Sequence, residues 1–221
     1  MPTIVITGAS RGIGAELARL YARGGDRVIG GARGGAPPQN GVDLRPLDVA
    51  DAASVESFAA SLEGEAVDLL INNAGVMGPS TSSTLAGMDF EGFAATLAIN
   101  TLGPLRTTQA LLPALRSASG AKVAIISSHM GGSDYPRSHD IAYQASKAAL
   151  NKLAIALARD LKAEGVAVAT LHPGWVRTDM GGAGADIDPC QSAEGIKRVL
   201  DRLHLGCTGR FWNWDGSERG W

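Results

Sequence analysis

Short runs of apolar residues, many of them β-branched, alternate along this chain with longer stretches in which apolar positions recur every three or four residues. The short runs predict buried strands, and the longer stretches predict amphipathic helices. We expect about seven strands, over residues 3–7, 27–32, 44–48, 67–71, 122–127, 166–171 and 209–214. We expect helices over residues 13–23, 51–62 with Asp51 as the N-cap, 90–116 with a bend at Gly103-Pro104, 141–163 and 191–203.

Strands that alternate with helices at this spacing predict a Rossmann-like α/β fold, a doubly wound parallel sheet with helices on both faces. The length of 221 residues fits one domain, and we find neither an internal repeat nor a linker. The glycine- and proline-rich run at 34–41 is expected to be a loop. In such a sheet, ligands bind at the carboxyl ends of the strands.

The first predicted strand runs directly into a glycine-rich turn that contains Gly8, Gly12 and Gly14, and a helix pattern begins at Ile13. Glycines let the backbone approach phosphate closely, and the free N–H groups at a helix N-terminus attract negative charge. The order of strand, glycine loop and helix therefore predicts a site for a dinucleotide pyrophosphate. A tight strand-to-helix turn that binds nothing is the alternative.

The remaining composition argues against several other classes of protein. The formal net charge is −2 and no basic run is present, so we expect neither nucleic acid nor a membrane surface as a partner. No apolar run approaches the ~20 residues of a membrane span, and the early first strand leads us to expect no signal peptide. The two cysteines have no metal spacing, and the four histidines lie far apart in the sequence. We expect a cytoplasmic protein with reduced thiols and no metal.

Tyr143 and Lys147 are four residues apart in a predicted helix, so their side chains share one face. A nearby ammonium favours phenolate, and a pKa lowered by ~3 units would make the tyrosine a workable acid and base at neutral pH. Ser128 follows the preceding strand and is placed to hydrogen-bond a substrate oxygen. A surface tyrosine beside a solvated lysine is the alternative for the pair alone.

Taken together, these motifs resemble the short-chain dehydrogenase/reductase family, in the family's order and over nearly the whole chain. The run that begins His172-Pro173-Gly174-Trp175 and the ending that begins Gly209-Arg210-Phe211-Trp212 are most similar to its small sniffer-type and C-factor-type members. The resemblance implies that four residues are catalytic, namely Asn100, Ser128, Tyr143 and Lys147. It implies a larger set that binds the cofactor, namely Gly8, Ser10, Arg11, Gly12, Ile13, Gly14, Arg33, Asp48, Val49, Asn73, Ala74, Gly75, Tyr143, Lys147, Pro173, Gly174, Val176 and Thr178.

The mechanism that the resemblance implies is reversible hydride transfer between a nicotinamide cofactor and a carbonyl or alcohol substrate. Tyr143 would be the general acid/base, and Lys147 would lower its pKa and hold the cofactor ribose. Ser128 would orient the substrate oxygen, and Asn100 would join a proton relay through backbone distortion and water. Ser127 remains an alternative to Ser128, because the interval before Tyr143 is slightly longer than usual. The segment 178–191 is short and rich in glycine and alanine, so we expect an open substrate site.

The end of the second strand predicts a preference for NADP(H), with NAD(H) possible. An NAD site needs a carboxylate there for the ribose 2′-hydroxyl, but this chain has Ala32 followed by Arg33. Arg33 and Arg11 are suited to grip a 2′-phosphate. Asp43 and Asp48 are alternative carboxylates, although Asp48 matches the position beside the adenine.

Two other functions are weighed against this enzyme. A dinucleotide-binding signalling or sensor protein of the C-factor type would need little turnover, and a sugar-nucleotide epimerase would need a longer chain.

His129 follows Ser128, but the chain has no nucleophile-elbow motif, so we expect a loop histidine. The two long predicted helices, 90–116 and 141–163, are expected to form the contact of a homodimer or homotetramer, because small apolar residues of the second leave a surface that the sheet does not cover.

Overall fold

The computed structural model describes residues 1–34, 41–79, 85–137 and 139–221; the expected loop at 34–41 therefore lies mostly outside the described residues. One sheet organises the chain. Its strands are β1 (Thr3–Thr7), β2 (Arg27–Ala32), β3 (Val42–Pro46), β4 (Leu69–Asn72), β5 (Lys122–Ile126), β6 (Ala167–His172), β7 (Arg210–Asn213) and β8 (Glu218–Arg219). They lie in the order β3-β2-β1-β4-β5-β6-β7-β8, and only β7 and β8 pair antiparallel.

The helices are α1 (Gly12–Arg23), α2 (Ala52–Ala60), α3 (Phe90–Leu97), α4 (Gly103–Ala110), α5 (Leu112–Arg116), α6 (Ile141–Lys162) and α7 (Pro189–Asp201). Asp51 caps α2 as expected, because its side chain accepts a hydrogen bond from the Ala53 N–H at 3.0 Å.

Apolar side chains on the two faces of the sheet form separate cores, as a doubly wound fold requires. On one face, Phe58 of α2 and Leu150 of α6 pack against the sheet and are almost fully buried. On the other face, Leu17 of α1 and Ile196 of α7 do the same. The parallel sheet is thus covered on both sides, and its carboxyl edge is left to the loops.

The structure corrects two features of the predicted strands. The third strand lies earlier than the predicted 44–48, which leaves Asp48 in the following loop, where it accepts a hydrogen bond from the Ala50 N–H at 2.9 Å. The sheet has eight strands instead of about seven. The additional strand, β8, is two polar residues long, so it has no hydrophobic alternation from which it could be predicted.

The predicted 90–116 helix is divided into α3, a π-helical segment at Ala98–Leu102, α4 and α5. Gly103 and Pro104 open α4, and a proline is well tolerated in a first helical turn because its missing N–H has no helical partner there. The expected bend is therefore a break between helices. Within the described ranges, no helix has the length and apolarity needed to cross a membrane.

Candidate active site

The loops at the carboxyl edge of the sheet enclose a cleft of about 600 Å³. Most of the predicted cofactor residues line it, namely Gly8, Ser10, Arg11, Gly12, Ile13, Arg33, Asp48, Val49, Asn73, Ala74, Gly75, Tyr143, Lys147, Pro173 and Thr178. These residues come from both halves of the chain, and the sheet topology brings them to one place.

The glycine loop between β1 and α1 has the backbone that a phosphate cradle needs. Gly8 and Gly12 have φ values of +68° and +57°, a region that favours glycine. A Cβ on Gly14 would lie 2.3 Å from the Gly8 carbonyl oxygen, so this glycine is required for packing. Arg11, the N-cap of α1, makes no side-chain cap, which leaves the first N–H groups of the helix available to a ligand in the cleft. The cradle fits a dinucleotide pyrophosphate.

Asn73 locks this loop to the end of β4. Its side-chain amide donates to the carbonyl oxygens of Thr7 and Gly8, at 3.0 and 3.1 Å. The Thr7 hydroxyl in turn accepts from the backbone N–H groups of Asn73 and Ala74, both at 3.0 Å. These bonds hold the glycine loop in one conformation, so the cradle is formed before a ligand binds.

Tyr143 lies in the first turn of α6, and its hydroxyl lies near enough to Ser128 for the serine to affect its pKa. The tyrosine is 8% exposed. Burial raises its pKa to about 12, although Ser128 acts in the opposite direction. Ser127 is oriented differently, because its hydroxyl donates to Asn151 Oδ1 at 2.5 Å. Of the two serines, Ser128 is the one that contacts the phenol.

Lys147 lies one turn after Tyr143 and is 5% exposed. Its Nζ donates to the Ile126 carbonyl oxygen at 2.9 Å and lies 5.7 Å from the centre of the phenol ring. Burial lowers the pKa of this ammonium to about 8. The expected lowering of the Tyr143 pKa below its ordinary value is wrong for this structure, because the cost of burying a phenolate dominates.

Asn100 lies in the π-helical segment and is fully buried. Its side chain accepts from the Val76 N–H and donates to the Val76 carbonyl oxygen, both at 2.8 Å, and it also donates to Ser146 Oγ at 3.0 Å. The backbone distortion that we expected is present. The side chain itself fixes the segment that follows β4, and Val76 of that segment lines the cleft.

Ala32 and Arg33, which the sequence places at the end of β2, both lie beside the cleft. Ala32 is buried and lines the cleft, and the exposed Arg33 lines it as well. Asp43, an alternative carboxylate, is bound by the guanidinium of Arg45 at 2.7 and 3.0 Å and is absent from the cleft wall. Arg11 forms an exposed ion pair with Asp179, which joins the glycine loop to the loop after β6.

Five of the predicted residues do not line the cleft: Gly14, Asn100, Ser128, Gly174 and Val176. Ser128 and Asn100 act on it through Tyr143 and Val76. Gly14 and Gly174 are positions where a Cβ would clash with a neighbour, and Val176 is 4% exposed in the core. These residues shape the cleft from behind.

The cleft wall also contains residues that the sequence analysis did not assign to the site. They are Gly31, Leu47, Val76, Ile99, Ile126, Arg177, Asp179, Met180 and Pro189. Several directly follow or precede assigned residues at strand ends, and that proximity is the one signal that could have identified them. Met180 is 43% exposed in the short segment that follows β6.

The structure brings together two histidines that the sequence separates. His129 lies in a short turn after β5, in keeping with the expected loop histidine, but its Nδ1 lies 3.0 Å from His172 Nε2. This contact could not be predicted from the sequence, because the two histidines are 43 residues apart and only the sheet brings their loops together. Across the described ranges, no group of three or more His, Cys, Asp or Glu side chains is arranged to hold a metal ion.

Comparisons with known proteins agree with this geometry. The chain is 42% identical over 174 residues to C-signal of Myxococcus xanthus, a match that covers 76% of this chain and all of C-signal. Its structure matches the NADPH-bound carbonyl reductase from chicken fatty liver with a TM-score of 0.90 and 30% identity, over 100% of this chain and 99% of that one. It matches the carbonyl reductase Sniffer of D. melanogaster with a TM-score of 0.91 and 27% identity, over the whole of both chains.

The family model described as short chain dehydrogenase matches residues 2–186, from the first strand to the segment before α7. The matched region contains the glycine loop, the bonds of Asn73 and the Tyr143–Lys147 pair. The fold, the cleft and this match lead to one conclusion. The chain belongs to the short chain dehydrogenase family.

Proposed function

We propose that this protein is an NADP(H)-preferring carbonyl reductase that interconverts a carbonyl and a hydroxyl group. The observation that carries the proposal is the buried cluster of Ser128, Tyr143 and Lys147 beside a preformed phosphate cradle. Tyr143 and Lys147 line the dinucleotide cleft, with Ser128 beside the tyrosine, and this group of side chains is suited to polarising and protonating one oxygen atom.

The cofactor, when bound, supplies or accepts the hydride. The glycine loop, with Asn73, Ala74 and Gly75, would hold its phosphates and ribose, and Pro173 and Thr178 would border the nicotinamide. Side chains of the protein orient the substrate and transfer the protons.

Tyr143 is the proposed acid. Burial raises its pKa to about 12, so its hydroxyl carries a proton at neutral pH that it can donate to a carbonyl oxygen. Ser128, which lies near the same hydroxyl, would orient the substrate oxygen beside Tyr143.

Lys147 is the proposed source of the replacement proton. With a pKa of about 8 the ammonium is charged at neutral pH, yet it releases a proton far more readily than an ordinary lysine. Asn100 would join the proton relay to Tyr143 through water and the distorted backbone of its π-helical segment. Lys147 also lies where it would hold the cofactor ribose.

The preference for NADP(H) rests on Ala32, Arg33 and Arg11, all of which line the cleft. The NADPH-bound chicken carbonyl reductase supports a nicotinamide cofactor of this kind. We also propose a homodimer or homotetramer assembled through the small-residue face of α6, and a cytoplasmic location.

The experiment tests a panel of aldehydes, ketones and quinones as substrates of wild type and of Tyr143→Phe. The rate with each compound is measured as the oxidation of NADPH. Positioned acids contribute ~10²–10⁴-fold, so we expect the variant to lose turnover at least a hundredfold while NADPH still binds, as measured by fluorescence. Retention of more than about a tenth of the wild-type rate would remove Tyr143 as the acid.

A signalling role is the second candidate, and the specific observation in its favour is the match to C-signal. In that case dinucleotide binding would matter and turnover would not. A wild-type protein that binds NADPH but turns over no member of the panel would favour this role over the enzyme.

A further inference from the structure

The His129–His172 pair is the strongest unassigned feature of the described residues. His129 Nδ1 and His172 Nε2 are 3.0 Å apart, and the two rings are nearly perpendicular, with centroids 4.5 Å apart. Each neutral imidazole has one N–H donor and one acceptor, so one ring donates to the other in this contact. The second nitrogen of His172, Nδ1, is buried and has no partner among the described residues.

The two histidines join the loops that border the reacting centre. His129 is the first residue of a short 3₁₀ turn (His129–Gly131), and Ser128 caps that turn by accepting from the Met130 N–H at 3.1 Å. His172 ends β6 and directly precedes Pro173, which lines the cleft. The hydrogen bond between the rings therefore ties the serine loop to the loop after β6.

A second contact fixes the far end of this turn. Gly131 packs against the backbone of α6, where a Cβ would lie 2.6 Å from the Lys147 carbonyl carbon. The 3₁₀ turn is thus held to α6 at one end and to β6 at the other. Ser128 directly precedes the turn, and its hydroxyl contacts Tyr143.

The surroundings keep this pair uncharged at neutral pH. Burial lowers the pKa of both histidines, that of His172 to about 3, and the positive charge of Arg219 in β8 lowers both further. Arg137 also lowers the pKa of His129, whereas Asp134 raises it. The negative charge of Asp215 raises the pKa of His172. A neutral imidazole pair can keep a single, directional hydrogen bond.

We propose that His129 and His172 are positioning residues for the reductase reaction: their hydrogen bond fixes the loop of Ser128, and so fixes the serine hydroxyl against Tyr143 and the substrate oxygen. This inference rests on the proposed function, since it assumes that Ser128 orients the substrate. Protonation of the pair at acidic pH places a charge in this buried contact and disturbs that alignment.

Matched amide substitutions test the hydrogen bond separately from the ring volume. The asparagine amide occupies the place of a histidine Nδ1, and the glutamine amide occupies the place of Nε2. The double variant His129→Asn/His172→Gln therefore keeps two polar groups face to face. The exchanged variant His129→Gln/His172→Asn has the same composition but moves both amides out of this register.

The rate of 4-nitrobenzaldehyde reduction with saturating NADPH is the measurement, together with the melting temperature of each variant. We expect the facing pair to keep kcat within about threefold of wild type. The exchanged pair should lose kcat by ~10-fold or more, because a small displacement of a catalytic group is costly. The KM for NADPH, measured separately by varying the NADPH concentration at fixed aldehyde, should stay unchanged.

The pH profile distinguishes positioning from a structural role. Wild-type kcat should fall as the pH drops into the range where His129 titrates, and the facing amide pair, which has no titratable group, should keep its kcat over the same range. Circular dichroism at each pH verifies that both proteins remain folded.

Equal kcat values for the facing and exchanged variants, with both folded, would overturn the proposal. So would an acidic limb in the facing pair identical to that of wild type. Failure of the proposed function has a different signature: wild type would not reduce the aldehyde, or Tyr143→Phe would still do so.

Discussion

At the residue scale, the proposed preference for NADP(H) rests on the side chains at the end of β2. Replacing Ala32 by Asp and Arg33 by Ala would supply a carboxylate for a ribose hydroxyl and remove one guanidinium from a 2′-phosphate. Hydrogen bonds to charged groups contribute ~1.5–3 kcal/mol, so the ratio of kcat/KM for NADPH to that for NADH should fall at least about 10-fold. We expect a wild-type ratio above one.

The control for this pair of substitutions is Arg45→Ala, which removes a guanidinium that binds Asp43 on the neighbouring strand outside the cleft. It should leave the ratio where it is in wild type. A wild-type ratio at or below one would contradict the NADP(H) preference.

Two adjacent serines should respond in opposite ways to substitution by alanine. Ser127→Ala leaves the buried Asn151 carbonyl oxygen without its donor, which costs ~1–3 kcal/mol of unfolding free energy, and turnover should persist. Ser128→Ala removes the contact to Tyr143 and should reduce kcat strongly at a cost to stability of ~1 kcal/mol for the lost cap. Urea unfolding and NADPH oxidation on both variants test the contrast, and the reverse pattern would exchange the two roles.

The roles of these two serines could not be distinguished from the sequence. Residue type and position identify the glycine loop, Tyr143 and Lys147 as candidates, because each follows a strand or shares a helix face. Ser127 and Ser128 have the same chemistry and are adjacent in sequence. Only the contacts with Asn151 on one side and Tyr143 on the other separate the two.

At the scale of elements, α6 connects the site to the surface. Tyr143 and Lys147 face the cleft, while Ala148 and Ala156 are exposed and Leu153 is half-buried on other sides of the same helix. Small side chains allow close approach of a second helix. We expect light scattering at micromolar concentration to give the mass of a dimer or tetramer.

A bulky, charged substitution on that face tests the assembly. Ala148→Glu should shift the population to monomers, and Gln191→Glu, at an exposed position of α7 on the opposite face of the sheet, is the control for added charge. A monomer mass for wild type would end the idea of assembly through α6.

The region around Asn100 shows what the hydrophobic pattern misses at this scale. Apolar periodicity over residues 90–116 predicts one helix, and each residue of the π-helical segment is compatible with it. The distortion coincides with the long-range bonds between the Asn100 side chain and Val76, which local periodicity does not contain. The same holds for β8, whose pairing depends on β7 and not on its own two residues.

At the scale of the whole molecule, His172 links stability to pH. Its pKa is about 3 in the folded protein and about 6.5 when unfolded, so the unfolded chain binds more protons as the pH falls. The stabilisation is complete above about pH 6.5 and is lost progressively below it. Between pH 7 and pH 5 the unfolding free energy should fall by ~2 kcal/mol from this group alone.

Urea unfolding of wild type and His172→Gln at the two pH values measures this contribution. The variant should lose less stability than wild type on acidification, because glutamine does not titrate. Equal losses in both proteins would show that His172 titrates normally in the folded state.

The two cores and the position of the cleft follow from the alternation of elements together with the right-handed crossover rule. The His129–His172 contact does not, because it depends on how two loops meet once the sheet has formed. Many residues along the chain contribute to the pattern that predicts the fold, whereas the contact between two loops depends on a few residues alone.

The two edges of the sheet are protected against aggregation by their own side chains. On one edge, β3 ends in Pro46 and carries the ion pair of Asp43 with Arg45; on the other, β8 is two residues long and Glu218 is paired with Arg210. Charges, proline and short length all discourage an edge strand from pairing with a neighbouring molecule. Edge-to-edge stacking into fibrils is therefore disfavoured, and self-association is directed to the helical faces.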